Sequence, residues 1–91
     1  MNTLTLENIQ DLIYLLDSDA EKFLDYISSN LEIGDLIMKE PALGEMVVSL
    51  FSIQRGIANL KNREQKNRCK MAKKWLLIAI RECLVQIAAN P

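Results

Sequence analysis

The first third of the chain shows apolar residues at every third or fourth position, which is the spacing of helices with one buried face. One pattern covers residues 5–17, where Thr5 can cap the helix start. The second covers residues 19–31 and begins with Ser18 and Glu21 in the spacing of a capping box. The apolar positions of the two patterns are Leu6, Ile9, Leu12, Ile13 and Leu16, and then Ala20, Phe23, Leu24, Ile27 and Leu31.

The middle of the chain predicts a break and then a longer helix. Gly34 marks an end or a break, and residues 35–40 favour at most a short helical turn. Pro41 fits the first turn of the next helix, because its missing N–H costs nothing there. The following helix, over residues 42–61, has an apolar half formed by Leu43, Met46, Val47, Leu50, Phe51, Ile53, Ile57 and Leu60.

Residues 61–68 carry no hydrophobic side chain, so they form either a turn or the exposed middle of a long helix. We favour a tight turn around Asn62–Asn67, because an uninterrupted helix over residues 41–88 would be roughly 72 Å long. A last helix over residues 65–88 then forms an αα-hairpin with the helix before it. No alternation of period two persists, which excludes a sheet. The sequence therefore predicts a single helical domain over residues 1–91: an all-α, small four- to five-helix bundle with a C-terminal αα-hairpin.

The last helix is apolar on two sides. One face carries Ala72, Leu76, Ala79, Ile80, Cys83 and Ile87. A second set on the other side is predicted to be a self-association surface: Leu77, Ile78, Leu84 and Val85. A helix that is apolar all round must be buried on more than one side. We therefore expect a homodimer or a heterocomplex that buries the second face, the alternative being a central helix wrapped by the other three.

Charge is distributed unevenly, although the net charge of the chain is only −1. Residues 1–45 contain ten acids and two bases, and residues 46–91 contain nine bases and two acids. Six bases fall within an arc of about 100° on a helical wheel: Arg63, Lys66, Lys70, Lys73, Lys74 and Arg81. Four interpretations of this basic stripe remain open. It is a solvated face, a surface neutralised by the acidic first helices, a docking surface for an acidic protein, or a nucleic-acid contact.

Several chemistries are excluded by composition. Histidine is absent, so the chain offers no Ser-His or Cys-His pair for nucleophilic catalysis. The two cysteines, Cys69 and Cys83, are too few for a structural zinc site. On one helix they lie about 21 Å apart, too far for an intramolecular disulfide. We expect reduced, buried thiols, with an intermolecular disulfide as the alternative, and no metal, cofactor or small-molecule substrate.

The N-terminal residues contain no positive charge of the kind that begins a signal peptide. The longest apolar run, Trp75–Ile80, is far shorter than the roughly 20 residues of a membrane span. These observations favour a cytoplasmic protein that spans no membrane.

The exclusions and the charge pattern together favour a non-enzymatic protein–protein interaction module. Such a module is an adaptor, a chaperone or an antagonist of another protein, and it acts through apolar and charged helix faces. The alternative is a small nucleic-acid-binding regulator that uses the basic residues between Arg63 and Lys74.

Overall fold

The computed structural model describes residues 3–90, and these residues form five helices and no strand. The helices are α1 (Leu6–Ser18), α2 (Ala20–Ser29), α3 (Leu31–Met38), α4 (Pro41–Ile57) and α5 (Arg63–Ala89). Helices that follow each other along the chain pack together, and α1 also packs against α5, so the five helices surround one core. The predicted all-α bundle is confirmed.

Side chains that cap the helix starts explain where α1 and α2 begin. The Thr5 hydroxyl accepts a hydrogen bond from the Asn8 N–H (3.0 Å), and the Asn8 side chain accepts one from the Thr5 N–H (3.1 Å). Asp19 has the extended backbone of an N-cap and accepts from the Glu21 N–H at 2.9 Å. The prediction that Ser18 caps α2 is wrong, because Ser18 still belongs to α1.

The chain forms a complete helix, α3, where only a short turn was predicted. The Asn30 side chain accepts a hydrogen bond from the Ile33 N–H (3.3 Å), so α2 ends at Ser29 and α3 begins directly afterwards. Gly34 lies inside this helix and does not mark an end. A Cβ added at Gly34 would lie 3.5 Å from the Ile27 carbonyl oxygen, in ordinary contact with α2.

The predicted hairpin of α4 and α5 is present, but its turn comes earlier than predicted. The turn covers residues 58–62 and not Asn62–Asn67. Asn62 begins α5 by accepting hydrogen bonds from the N–H groups of Glu64 and Gln65, at 2.9 and 3.2 Å. The polar residues that follow form exposed turns of α5, since a helix that faces water needs no apolar side chain there.

The core lies towards one end of a molecule that measures 46 × 23 × 23 Å. The fifteen buried hydrophobic residues are Leu4, Ile9, Leu12, Leu16, Phe23, Leu24, Ile27, Ile33, Leu36, Ile37, Leu43, Val47, Leu50, Ile80 and Leu84. Between residues 51 and 79 no residue is buried. We call residues 51–76 the stem, a two-helix hairpin, and residues 3–50 with 77–90 the bundle.

Candidate interaction surfaces on the C-terminal hairpin

The four residues predicted to form a self-association surface lie on two different sides of α5. Leu84 is fully buried in the core, and Leu77 is half-buried and packs against it. Ile78 and Val85 are 42% and 43% exposed. The prediction that Leu84 and Leu77 lie on an outer face is wrong. An all-round apolar helix carries no pattern that says which of its sides the other helices will cover.

The outer side of α5 presents an apolar row of which the sequence predicted only two members, Ile78 and Val85. Met71 and Trp75 are 57% and 62% exposed, and together with Ile78 and Val85 they form what we call the outer row. Steps of three and four residues connect its positions, with Glu82 between the last two. This is the spacing with which one helix meets another in a coiled coil. The spacing is visible in the sequence, but only the structure shows that this side is uncovered.

Five of the six residues of the predicted basic stripe lie in the stem: Arg63, Lys66, Lys70, Lys73 and Lys74. Lys66 and Lys73 are half-buried, and the other three are exposed. The sixth residue, Arg81, lies in the bundle, where its Nε donates to both carboxylate oxygens of Asp17 on α1, at 3.0 and 3.2 Å. The structure therefore separates Arg81 from the stripe and pairs it with an acid from the first helix.

Charge is separated along the length of the molecule. The stem contains eight bases and one acid, for a net charge of +7, and the remainder of the chain contains three bases and eleven acids, for −8. The long dimension of 46 Å is several times the Debye length of about 8 Å at physiological salt. Each end of the molecule therefore presents its own electrostatic field to a partner.

The two cysteines are free and half-buried, Cys69 in the stem and Cys83 in the bundle. Burial raises the pKa of the Cys83 thiol, and the negative charge of Glu40 raises it further, so the protonated form is favoured. Within residues 3–90, no group of Cys, Asp and Glu side chains is arranged to hold a metal ion. Over the same residues, no helix combines the length and the hydrophobicity that crossing a membrane requires.

No protein-family model, curated protein or solved structure matches this chain significantly. The outer row, the charged stem and the remaining surfaces are therefore the basis for a functional assignment.

Proposed function

We propose that the protein is a non-enzymatic protein–protein interaction module, an adaptor, chaperone or antagonist of another protein, that acts in the cytoplasm as a homodimer. The observation that carries this proposal is the outer row of α5. Monomeric proteins seldom expose contiguous apolar patches larger than roughly a few hundred Å². An apolar row at heptad spacing is also the surface that a second helix covers best.

The separated charges favour an antiparallel arrangement of two copies along their outer rows. In that arrangement the stem of each copy, with net charge +7, lies beside the bundle of the other, with −8. A parallel arrangement brings like charges together and is disfavoured. An antiparallel pair related by a two-fold axis is also a closed assembly, and this is the commonest kind of oligomer.

The antiparallel arrangement also accommodates Glu82, the acid that lies between Ile78 and Val85. If Trp75 of one copy packs against Ile78 of the other, the same register places Glu82 between Arg68 and Lys74 of the second copy. The carboxylate then gains two opposite charges at the edge of the contact, which favours this register over registers that place it beside acids.

Sedimentation equilibrium with two matched variants tests the dimer. Ile78 and Val48 are similarly exposed, at 42% and 48%, but only Ile78 belongs to the outer row. Ile78→Glu is expected to give a folded monomer, because a dimer in which Ile78 packs against Trp75 would bury an unpaired charge. Val48→Glu is expected to sediment as the wild type does. Wild-type protein that remains a 10.4 kDa monomer at high micromolar concentration would exclude the dimer.

The only tryptophan, Trp75, lies in the outer row and reports on the same contact. Its emission should shift to shorter wavelength as the protein concentration rises, because dimerisation removes the indole from water. The shift should follow the dimer fraction measured by sedimentation and should be absent in Ile78→Glu.

A second candidate function, nucleic-acid binding, is favoured by the net charge of the stem and by the exposed ring of Trp75. Lysine and arginine contact phosphates, and aromatic rings stack on unpaired bases. Fluorescence anisotropy with duplex and single-stranded oligonucleotides at low and moderate salt tests it. Tight binding that weakens steeply with salt and is reduced in Lys70→Ala and Lys74→Ala supports this function, and no binding at low salt excludes it.

A further inference from the structure

A groove lies where α2, α3 and α4 meet, and no residue of α5 lines it. Two adjoining depressions of about 310 and 540 Å³ share Met38 and Val48, so they form one continuous groove. Several apolar side chains in it face water: Leu31 is 80% exposed, Met38 57% and Val48 48%. The half-buried Phe51 also contributes to its lining. This apolar surface is separate from the outer row.

Two neighbouring helices line the groove at regular spacing. Each supplies residues at positions i, i+4 and i+7, which share one side of a helix. These residues are Leu31, Asp35 and Met38 on α3, and Pro41, Glu45 and Val48 on α4. The two helices lie close together, since a Cβ on Gly44 would be only 3.3 Å from the Met38 Cα. Two such rows form the kind of channel in which proteins bind the apolar face of an amphipathic helix.

The charged residues that line the groove indicate the sign of the charge that its partner should carry. Asp35 and Glu45 are the charged residues among those that line the groove. Lys39 lies in the turn between α3 and α4 but does not line it. A helix with lysine or arginine beside its apolar face gains opposite charges on docking here, whereas an acidic helix is repelled. The net charge of −8 outside the stem extends the same preference to the surroundings of the groove.

We propose that this groove binds a basic amphipathic helix of another protein, with apolar residues that occupy the space above Leu31, Met38 and Val48. The inference rests on the proposed function, because it names the site and the chemistry of the partner that the interaction module recognises. Methionine suits such a site, since its flexible, polarisable side chain adapts to differently shaped apolar residues. None of the residues that line the groove belongs to α5, so the groove and the outer row are different surfaces of the chain.

The probe is a fluorescein-labelled peptide of about 18 residues, five helical turns, made of leucine and lysine in amphipathic order. Two comparison peptides are a shuffled one of the same composition, without an apolar face, and an amphipathic one with glutamate in place of lysine. Fluorescence anisotropy is measured with the full chain at moderate salt. We expect the amphipathic leucine–lysine peptide to bind at least about tenfold more tightly than either comparison peptide, a difference of one or two good contacts.

Matched variants locate the binding to the groove. Glu45→Lys reverses a charge that lines the groove, and Glu7→Lys reverses an exposed one on α1 that does not. We expect Glu45→Lys to weaken peptide binding about tenfold and Glu7→Lys less than about threefold. Leu31→Ser removes an apolar side chain that is 80% exposed, so it should weaken binding while the circular dichroism melt remains that of the wild type.

Equal binding of the shuffled peptide, or equal weakening by Glu7→Lys and Glu45→Lys, would overturn the inference, because attraction to the acidic surface in general would then suffice. Preference for the leucine–glutamate peptide would also overturn it and would indicate the basic stem. A dimer that Leu31→Ser dissociates would show that a second copy occupies the groove. Sedimentation of the same samples reports separately on the proposed function: a dimer that binds no peptide refutes only the groove.

Discussion

Helices α4 and α5 run through both the bundle and the stem, yet much more of each helix is buried in the bundle. In the bundle, α4 buries Leu43, Val47 and Leu50, and α5 buries Ile80 and Leu84. In the stem, apolar residues of the same two helices are at best half-buried. The difference is the number of neighbours, because α1, α2 and α3 surround only one end of the hairpin. Hydrophobicity alone therefore does not produce a core; a third and fourth helix are needed to cover it.

Electrostatics follows the same division. The bundle has the acids of the short helices α1–α3, and the stem has eight of the eleven bases. The ion pairs within residues 3–90 join Arg81 to Asp17 across the bundle and Arg68 to Glu64 within one turn of the stem. The remaining stem bases have no carboxylate within ion-pair distance in this part of the chain. Both the stem and the bundle therefore carry charges that these two ion pairs do not neutralise, positive in the stem and negative in the bundle.

The largest expected difference between bundle and stem is the stability that is lost when a leucine side chain is truncated. Leu84 is fully buried, whereas Leu76 on the same helix is half-buried in the stem. Leu84→Ala is expected to lower the free energy of unfolding by about 2–5 kcal/mol, and Leu76→Ala by about 1 kcal/mol. Urea denaturation followed by circular dichroism measures both. Equal losses would mean that the stem is as tightly packed as the bundle.

Two glycines of α4 extend the comparison. A Cβ at Gly56 in the stem would meet no atom within 4 Å, whereas one at Gly44 would lie 3.3 Å from the Met38 Cα. Gly56→Ala should raise the stability by about 0.5–1 kcal/mol, because alanine favours the helix. Gly44→Ala should be less stable than Gly56→Ala by about 1–2 kcal/mol, because the backbone at Met38 must move to make room for the added Cβ. Thermal melts of the two variants measure this difference in stability. Equal melting temperatures would contradict the close approach of α3 and α4.

Alkylation of Cys83 tests burial within the bundle chemically. Burial and the charge of Glu40 raise the pKa of Cys83, so less thiolate is present at mildly alkaline pH. Iodoacetamide at pH 8 should modify Cys83 at least about threefold more slowly than N-acetylcysteine. Peptide mapping by mass spectrometry separates this modification from that of Cys69.

The same shift predicts a dependence of stability on pH. Because the folded-state pKa of Cys83 is raised above the unfolded value, its contribution to stability is complete below the ordinary thiol pKa and is lost as pH rises through the folded value. Cys83→Ser should therefore reduce the decrease of stability at alkaline pH. An unchanged alkaline decrease in Cys83→Ser would contradict the assignment.

The smallest expected effect is that of the ion pair between α1 and α5. Asp17 and Arg81 are each about half exposed, at 50% and 49% of their side-chain surface. Arg81→Ala is expected to lower the stability by about 0.5 kcal/mol, less at high salt, since exposed ion pairs are screened by water and ions. A double-mutant cycle with Asp17→Ala isolates the pair. A coupling energy that is unchanged by salt would contradict this interpretation.

Local features of the fold could be predicted from the sequence because each depends on residues close together in the chain. The Thr5 cap and the two apolar patterns before residue 30 predicted α1 and α2 within about two residues. The errors arose where two local signals competed. Ser18 and Asp19 can both cap a helix, and Asn62 and Asn67 can both stand at a helix start. In the structure the side chains that accept the first N–H groups are those of Asp19 for α2 and Asn62 for α5.

The candidate surfaces could be predicted only in part. The basic residues of the stem follow from the helical wheel, but the pairing of Arg81 with Asp17 joins residues 64 positions apart. The groove lined by Leu31, Met38 and Val48 is formed by three helices, so no single pattern along the chain contains it. The exposed residues of α3 can be assigned to the groove only after the buried residues of the same helix have been identified.

The all-α class, the helices α1, α2, α4 and α5, the C-terminal hairpin and the separation of acids from bases all followed from the sequence, because helical period, caps and charge are local properties. The side of α5 that faces the core, in contrast, became known only from the packing of the helices. The period of a helix sets the angles between its own side chains, but not the rotation of the helix relative to its neighbours. That rotation depends on how α1 and α4 pack against Leu77, Ile80 and Leu84, and it is why Ile78 and Val85 face outwards.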